Sequence, residues 1–270
     1  MICLGKFNNV LLASDFDGTF ANTQGLITDD VKNALRYFIS EGGKFTVSTG
    51  RTYMGFHKYD PQYINAPVLL CNGAMAYDYS EKKAVFCNGI DERGIAAIDA
   101  ILHRFPDVPI EMYPFDSTYA IHLNTDSERH FTNQSIPFSV VDSPAETVFP
   151  WVKAMICAKE KTLEVQAFLQ DMQFDGIHFL PTTGSYIELL APGVDKGTGL
   201  LQLADHLQID KNDIYAVGDD YNDADMLRVA KAAFVPCNGN PTALELADYV
   251  VRSNNDGCVA NVIEILDKKY

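Results

Sequence analysis

Four short apolar runs in this chain each break off into acidic or small polar residues. "VLLAS" (10–14) runs into Asp15 and Asp17, and "KFTV" (44–47) into Ser48-Thr49-Gly50-Arg51. "APVLLC" (66–71) ends in Asn72-Gly73, and "DIYAV" (213–217) in Gly218-Asp219-Asp220. Apolar runs of this length, bounded by turn residues, read as buried strands. Helical patterns lie between them. In "TDDVKNALRYFISEGG", Thr28 stands at the N-cap, Asp29 and Asp30 fill the first turn, Val31, Leu35 and Phe38 share a face, and Gly42-Gly43 end it. The C-terminal part repeats the rhythm with helix "KGTGLLQLADHL", strand "DIYAVGD", helix "NDADMLRVA", strand "AAFVP" and helices around Leu244 and Val262. Strand–helix alternation predicts a parallel sheet covered on both faces. Ligands of such sheets bind beyond the carboxyl ends of the strands.

From about Tyr79 to Leu190 the rhythm changes. A helix with Ile95, Ile98, Leu102 and Phe105 precedes the β-like runs "PIEMY", "YAIHL" and "AMICA", a helix from Thr162 to Met172, and the runs "GIHFL" and "SYIELL". The expected architecture is an α/β, Rossmann-like parallel-sheet core (1–79 and 190–270) interrupted by an inserted α+β domain (80–189). A formal charge of −15 speaks against nucleic acid or an anionic membrane as partner, since both require a positive surface. No apolar stretch approaches the roughly 20 residues of a membrane span, and the start lacks a signal-peptide pattern, so a cytoplasmic protein is expected. Six cysteines, Cys3, Cys71, Cys87, Cys157, Cys237 and Cys258, show no C-x-x-C spacing and are expected as free, buried thiols.

In an extended segment Asp15 and Asp17 would leave the backbone on one side, where two carboxylates repel unless a proton, a cation or water intervenes. If the four strand ends converge, they bring Asp15, Asp17, Thr49, Asn72, Asp219, Asn222 and Asp223 together with Lys196, which opens the helix after the insertion. Such a set suits a hard divalent cation and a phosphate.

In order along the chain, "DFDGT", "STGR", "DKGTGL" and "GDDYNDADML" resemble the four motifs of the haloacid dehalogenase superfamily, and the pattern is similar to its Cof-type sugar phosphatases, whose cap domain lies between the second and third motifs. The resemblance covers essentially the whole chain. It implies a Mg²⁺-dependent phosphomonoesterase acting on a small phosphorylated metabolite such as a sugar phosphate. Asp15 would be the nucleophile that forms an aspartyl phosphate, and Asp17 the acid and then the base. Thr49 and Lys196 would bind the phosphoryl oxygens, with Gly50, Arg51 and Asn72 also at the substrate. Mg²⁺ would sit on Asp15, the Asp17 carbonyl and Asp219, with Asn222 and Asp223 orienting ligands or metal-bound waters. Gly18 would permit the turn and Thr19 hold it.

Hexose phosphomutase chemistry on the same aspartyl phosphate, and a phospho-accepting regulatory module, are the alternatives. Asp17 disfavours the module, which gains nothing from an acid/base placed to hydrolyse its phosphate. Asp29, Asp30 and Asp60 read as structural, Asp220 as an exposed turn acid, and His103, His122, His130 and His178 as ordinary residues of the insertion. Asn238 matches the family pattern only loosely. Residues 83–188 hold seven Lys or Arg against fifteen Asp or Glu. That balance favours neutral polyols over polyanions as the cap's ligand.

Overall fold

The computed structural model describes residues 5–57, 59, 62–181 and 186–270. Cys3 and Asp60 lie outside them. The backbone divides into two compact units, the first from residues of 1–50, 60–86 and 195–270, the second from residues of 51–59 and 87–194. The chain runs through β1 (Leu11–Ser14), α1 (Asp29–Ser40) and β2 (Lys44–Val47), then a short α2 (Tyr53–Phe56) in the second unit, then β3 (Val68–Leu70), β4 (Met75–Asp78) and β5 (Lys83–Cys87). The second unit continues with α3 (Gly94–Arg104), β6 (Ile110–Tyr113), β7 (Tyr119–Ile121), α4 (Thr125–Gln134), β8 (Ser139–Val140), β9 (Lys153–Cys157), α5 (Thr162–Met172), β10 (His178–Pro181) and β11 (Tyr186–Leu190). The first unit resumes with α6 (Lys196–His206), β12 (Ile214–Val217), α7 (Ala224–Val229), β13 (Ala232–Pro236), α8 (Pro241–Leu244), β14 (Tyr249–Val251) and α9 (Cys258–Lys269).

The first unit is built on a five-stranded sheet in the order β14-β13-β12-β1-β2, parallel throughout. All four residues of β1 are buried, and successive side chains point to opposite faces, so both faces are covered. On one face Leu11 and Ala13 join Leu200, Leu203, Ile214, Ala216, Met226 and Val235 in a single core. Helix α1 buries Val31, Leu35 and Phe38 as its spacing predicts, each contributing about 1.5–3 kcal/mol. Thr28 has extended N-cap geometry but makes no side-chain cap; its hydroxyl binds the Asp30 carboxylate instead.

Several sequence expectations are corrected. The third apolar run is not a full member of the parallel sheet: β3 meets it at the bridge Ser48↔Leu69 rather than along a ladder, and pairs antiparallel with β4. Cys71, Asn72 and Gly73 all have positive φ (51°, 53° and 88°), which reverses the chain into β4 before the strand can extend. In α3, Ile98 is buried as read, together with Gly94, Ala97 and Ile101, and so is Phe105 just after it, while Ile95 and Leu102 are half-buried. Cys71, Cys157 and Cys258 are buried free thiols, but Cys87 and Cys237 are exposed: Cys87 ends β5, none of whose residues is buried, and Cys237 follows the end of β13.

The second unit has a six-stranded sheet, β10-β11-β9-β6-β7-β8, antiparallel except for β7 with β8. Helix α4 is absent from the sequence reading. Its ten residues bury only Ser127 and Phe131, too few for an apolar period. A capping box starts it: Asn124 Oδ1 accepts from the Ser127 N–H at 2.9 Å, and Ser127 Oγ accepts from the Asn124 N–H at 2.9 Å. Among the described residues no helix is long and apolar enough to cross a membrane.

Candidate active site

Strand β1 stops at Ser14, one residue before the acidic pair. The Asp15 N–H still donates to Val217 O at 2.8 Å, and the chain then folds over itself, with Phe20 N–H on Asp15 O at 3.1 Å and Ala21 N–H on Phe16 O at 2.9 Å. Asp15 and Asp17 therefore sit in a tight loop rather than an extended strand, and alternation no longer places them side by side. Asp15 is buried and Asp17 exposed. Gly18 has φ +88°, and a Cβ there would meet Asp219 Oδ2 at 2.5 Å, so both backbone shape and space demand glycine. Thr19 donates to Asp219 Oδ1 at 2.5 Å. Its hydroxyl thus fixes the facing acid rather than its own turn.

Beyond β12, Gly218 leads into a 3₁₀ turn, Tyr221–Asp223. Asp223 is fully buried; its Oδ2 accepts from the N–H groups of Asp219 (2.9 Å) and Asp220 (3.0 Å). Lys196 begins α6 behind the Asp195 cap. The Lys196 side chain is wholly buried, and its Nζ donates to Asp15 Oδ1 at 2.5 Å and Asp223 Oδ1 at 2.6 Å. Carboxylate oxygens of Asp15, Asp219 and Asp223 lie within 4.8 Å of one another.

Three carboxylates around one ammonium leave excess negative charge, which adds to burial in raising the Asp15 and Asp219 carboxyls. Burial pushes the Asp15 carboxyl well above its ordinary range, Lys196 pulls it back, and Asp223 and Asp219 push it further up. Burial likewise raises Asp219, to about 6, against the hydrogen bond from Thr19. Burial alone would lower the Lys196 ammonium, but Asp15 and Asp223 outweigh it and hold its pKa above the usual lysine value. An all-oxygen, negatively charged cluster of this kind fits a hard divalent cation, whose charge relieves the repulsion.

Thr49 and Asn72 are both buried. The Thr49 N–H donates to Leu69 O at 2.9 Å and the Asn72 N–H to Thr49 O at 3.0 Å, which ties the two loops together. Asn222 Nδ2 donates to Asn72 Oδ1 at 3.0 Å, and a Cβ on Gly50 would meet that same oxygen at 3.3 Å. The structure therefore gathers residues from all four strand ends within the first unit. Arg51 is grouped with the second unit, its guanidinium 5.0 Å from the centre of the Tyr59 ring. Asp220 is exposed and caps its own turn through the Tyr221 N–H. Asn238 bonds to Asn254 at 3.0 Å and joins two loops. Sequence reasoning passed over Gly197 and Gly199. A Cβ on Gly197 would meet Asp225 O at 2.5 Å and one on Gly199 the Gly73 Cα at 2.6 Å, so these glycines let α6 lie against backbone and deliver Lys196; the "KGTG" string was their only signal.

The profile of a family described as haloacid dehalogenase-like hydrolase matches residues 12–263. The chain is 27% identical over 258 residues to the 5-amino-6-(5-phospho-D-ribitylamino)uracil phosphatase YbjI of Escherichia coli, covering 94% of each. It is 26% identical over 281 residues to the phosphatase of the same name, YwtE, of Bacillus subtilis, covering 94% of this chain and 97% of that one. A solved structure described as the subclass IIB sugar phosphatase BT4131 superposes with a TM-score of 0.83 at 17% identity, over 96% of this chain and 99% of that one, a likeness of fold.

Proposed function

This chain belongs to the haloacid dehalogenase-like hydrolases and is a phosphatase; from that premise we propose that it is a Mg²⁺-dependent phosphomonoesterase that passes the phosphoryl group of a small sugar phosphate to Asp15 and then to water. The observation that carries the reading is the buried Lys196 ammonium between Asp15 and Asp223. It holds Asp15 in one orientation while leaving Asp15 with a second carboxylate oxygen to attack phosphorus. Bound to Asp15, Asp219 and the Asp17 carbonyl, a divalent cation supplies the charge that lets a phosphate dianion approach these acids. Asp223, with both oxygens engaged, positions Lys196 and the backbone of Asp219.

In the first step an Asp15 oxygen forms a bond to phosphorus, the ester P–O bond breaks, and Asp17 protonates the departing oxygen. In the second, Asp17 takes a proton from water, the water oxygen bonds to phosphorus, and the bond to Asp15 breaks, releasing inorganic phosphate. The exposure of Asp17 suits a group that exchanges protons with leaving group and water. Thr49, Asn72 and Lys196 offer donors to the phosphoryl oxygens.

With p-nitrophenyl phosphate, whose leaving group needs no proton, the Asp17→Asn variant is expected to release one equivalent of nitrophenolate and stall, with the mass of one phosphoryl group added at Asp15. Asp15→Asn should show neither burst nor turnover, and wild-type protein stripped with EDTA should recover activity on adding Mg²⁺. A stalled variant without phosphoryl mass at Asp15, or undiminished activity in the metal-stripped protein, would overturn the nucleophile or the metal assignment respectively. A panel of phosphorylated metabolites should rank sugar phosphates highest in kcat/KM.

A further inference from the structure

The loop that carries the acidic pair satisfies only part of its own backbone. The N–H groups of Phe20 and Ala21 donate inward, to Asp15 O and Phe16 O, whereas the carbonyls of Thr19 and Ala21 take their donors from the other end of the chain. Asn254 Nδ2 donates to Ala21 O at 3.0 Å, and the Cys258 thiol donates to Thr19 O at 3.0 Å. Thr19, Phe20 and Ala21 are all buried, so water is no substitute, and a buried carbonyl deprived of its donor costs free energy. Further out, Asn255 Oδ1 accepts from the Thr23 N–H at 3.1 Å and from the Thr23 hydroxyl at 2.9 Å.

Asn254 opens a 3₁₀ turn, Asn254–Asp256, and Cys258 is the first residue of α9; both are buried. Asn238 sets the Asn254 amide. Asn238 Nδ2 donates to Asn254 Oδ1 at 3.0 Å, and Asn238 Oδ1 accepts from the Asn254 N–H at 3.3 Å, which turns the Asn254 NH₂ toward Ala21. Burial pushes the Cys258 thiol up to about 12, so it keeps its proton and serves as a donor. From these contacts the connection runs to the site. The Ala21 N–H holds Phe16, the residue between the two acids, and Thr19, whose carbonyl Cys258 holds, places its hydroxyl on Asp219.

We propose that Asn254 and Cys258 are positioning residues for the phosphatase site: through the Ala21 and Thr19 carbonyls they fix the loop that aims Asp17 and the Thr19 hydroxyl that orients Asp219. The roles of Asp17 and Asp219 are those proposed above, and the inference rests on them; the hold on the loop does not.

Cys258→Ser and Cys258→Ala remove the same sulfur and leave side chains of similar size, but only serine keeps a hydroxyl donor for Thr19 O. Asn254→Asp keeps the shape of the side chain and replaces the donor by an acceptor. Amide hydrogen exchange reads the loop, and steady-state kcat on p-nitrophenyl phosphate reads the chemistry. In Cys258→Ala and Asn254→Asp, exchange at Phe20 and Ala21 relative to the β12 amides should rise, and kcat should fall about tenfold or more, as when a supporting contact behind a site is lost. Cys258→Ser should recover most of both. Val262→Ala, buried further along α9, is the packing control and should lower the melting temperature while leaving the relative exchange and kcat unchanged. Unchanged relative exchange in Cys258→Ala and Asn254→Asp, a loosened loop with undiminished kcat, or Cys258→Ser no better than Cys258→Ala overturns the proposal. A loosened loop and a lowered kcat in a protein whose Asp15 takes up no phosphoryl group would support the positioning and refute only the nucleophile assignment.

Discussion

The acids of the candidate site look alike in the sequence, but burial sets two of them, Asp15 and Asp219, apart by raising their pKa. Asp219 has its folded pKa raised to about 6, chiefly by burial, from an ordinary aspartate value near 4. Between those values the folded state binds more protons than the unfolded one, so this group's contribution to stability is present at low pH and is lost as the pH rises through about 6. Asn carries no such penalty. Without metal, Asp219→Asn should therefore melt higher relative to wild type at pH 7.5 than at pH 4.5, as followed by scanning calorimetry. Added Mg²⁺ should stabilise wild type more at pH 7.5 than at pH 4.5 and the variant little at either. A wild-type advantage that grows with pH in the absence of metal would contradict the burial-driven shift.

At the scale of the element, α6 is the piece on which the site turns, because it carries Lys196 and lies against the loop that carries Asn72. The contact is backbone to backbone: a Cβ at Gly199 would stand 2.6 Å from the Gly73 Cα and 2.7 Å from its carbonyl oxygen. Backbone cannot rotate away as a side chain does, so Gly199→Ala should cost about 1–3 kcal/mol and lower kcat by displacing Lys196. Leu201→Ala, on the exposed side of the same helix, is the control and should change both little. Urea denaturation and steady-state kinetics on the pair measure this; an unperturbed Gly199→Ala would show that α6 is free to shift.

At the scale of the molecule, we expect the two units to unfold as separate cooperative bodies. Trp151 is the only tryptophan of the chain, is fully buried, and belongs to the second unit. Asp223 lies in the first, and Asp223→Ala would leave the buried Lys196 short of one partner and the N–H groups of Asp219 and Asp220 without their acceptor, a cost of about 3–5 kcal/mol. Far-UV circular dichroism of that variant should show a transition at lower urea, while tryptophan fluorescence keeps the wild-type midpoint, the non-coincidence that marks a departure from two-state behaviour. Both probes shifting together would show that the units unfold as one.

The parallel sheet, α1, α5, α6 and the acidic strand ends were legible because their signals are local: apolar runs bounded by turn residues, a 3.6-residue stripe, caps and glycine stops within a dozen residues. Helix α4 was not, since a helix that buries one phenylalanine and a serine has no apolar period to read. The candidate site divides the same way. The sequence by itself determined which residue types stand at the strand ends, and through the four motifs, the family. Only the tertiary structure decided that Asp15 is buried and Asp17 exposed, that Asp223 turns inward to a lysine 27 residues away, that Thr19 reaches across 200 residues to Asp219, and that Asn254 and Cys258 hold the Ala21 and Thr19 carbonyls. Burial and charge pairing depend on which distant segments close around a group, and nothing in the few residues on either side of an aspartate encodes that neighbour.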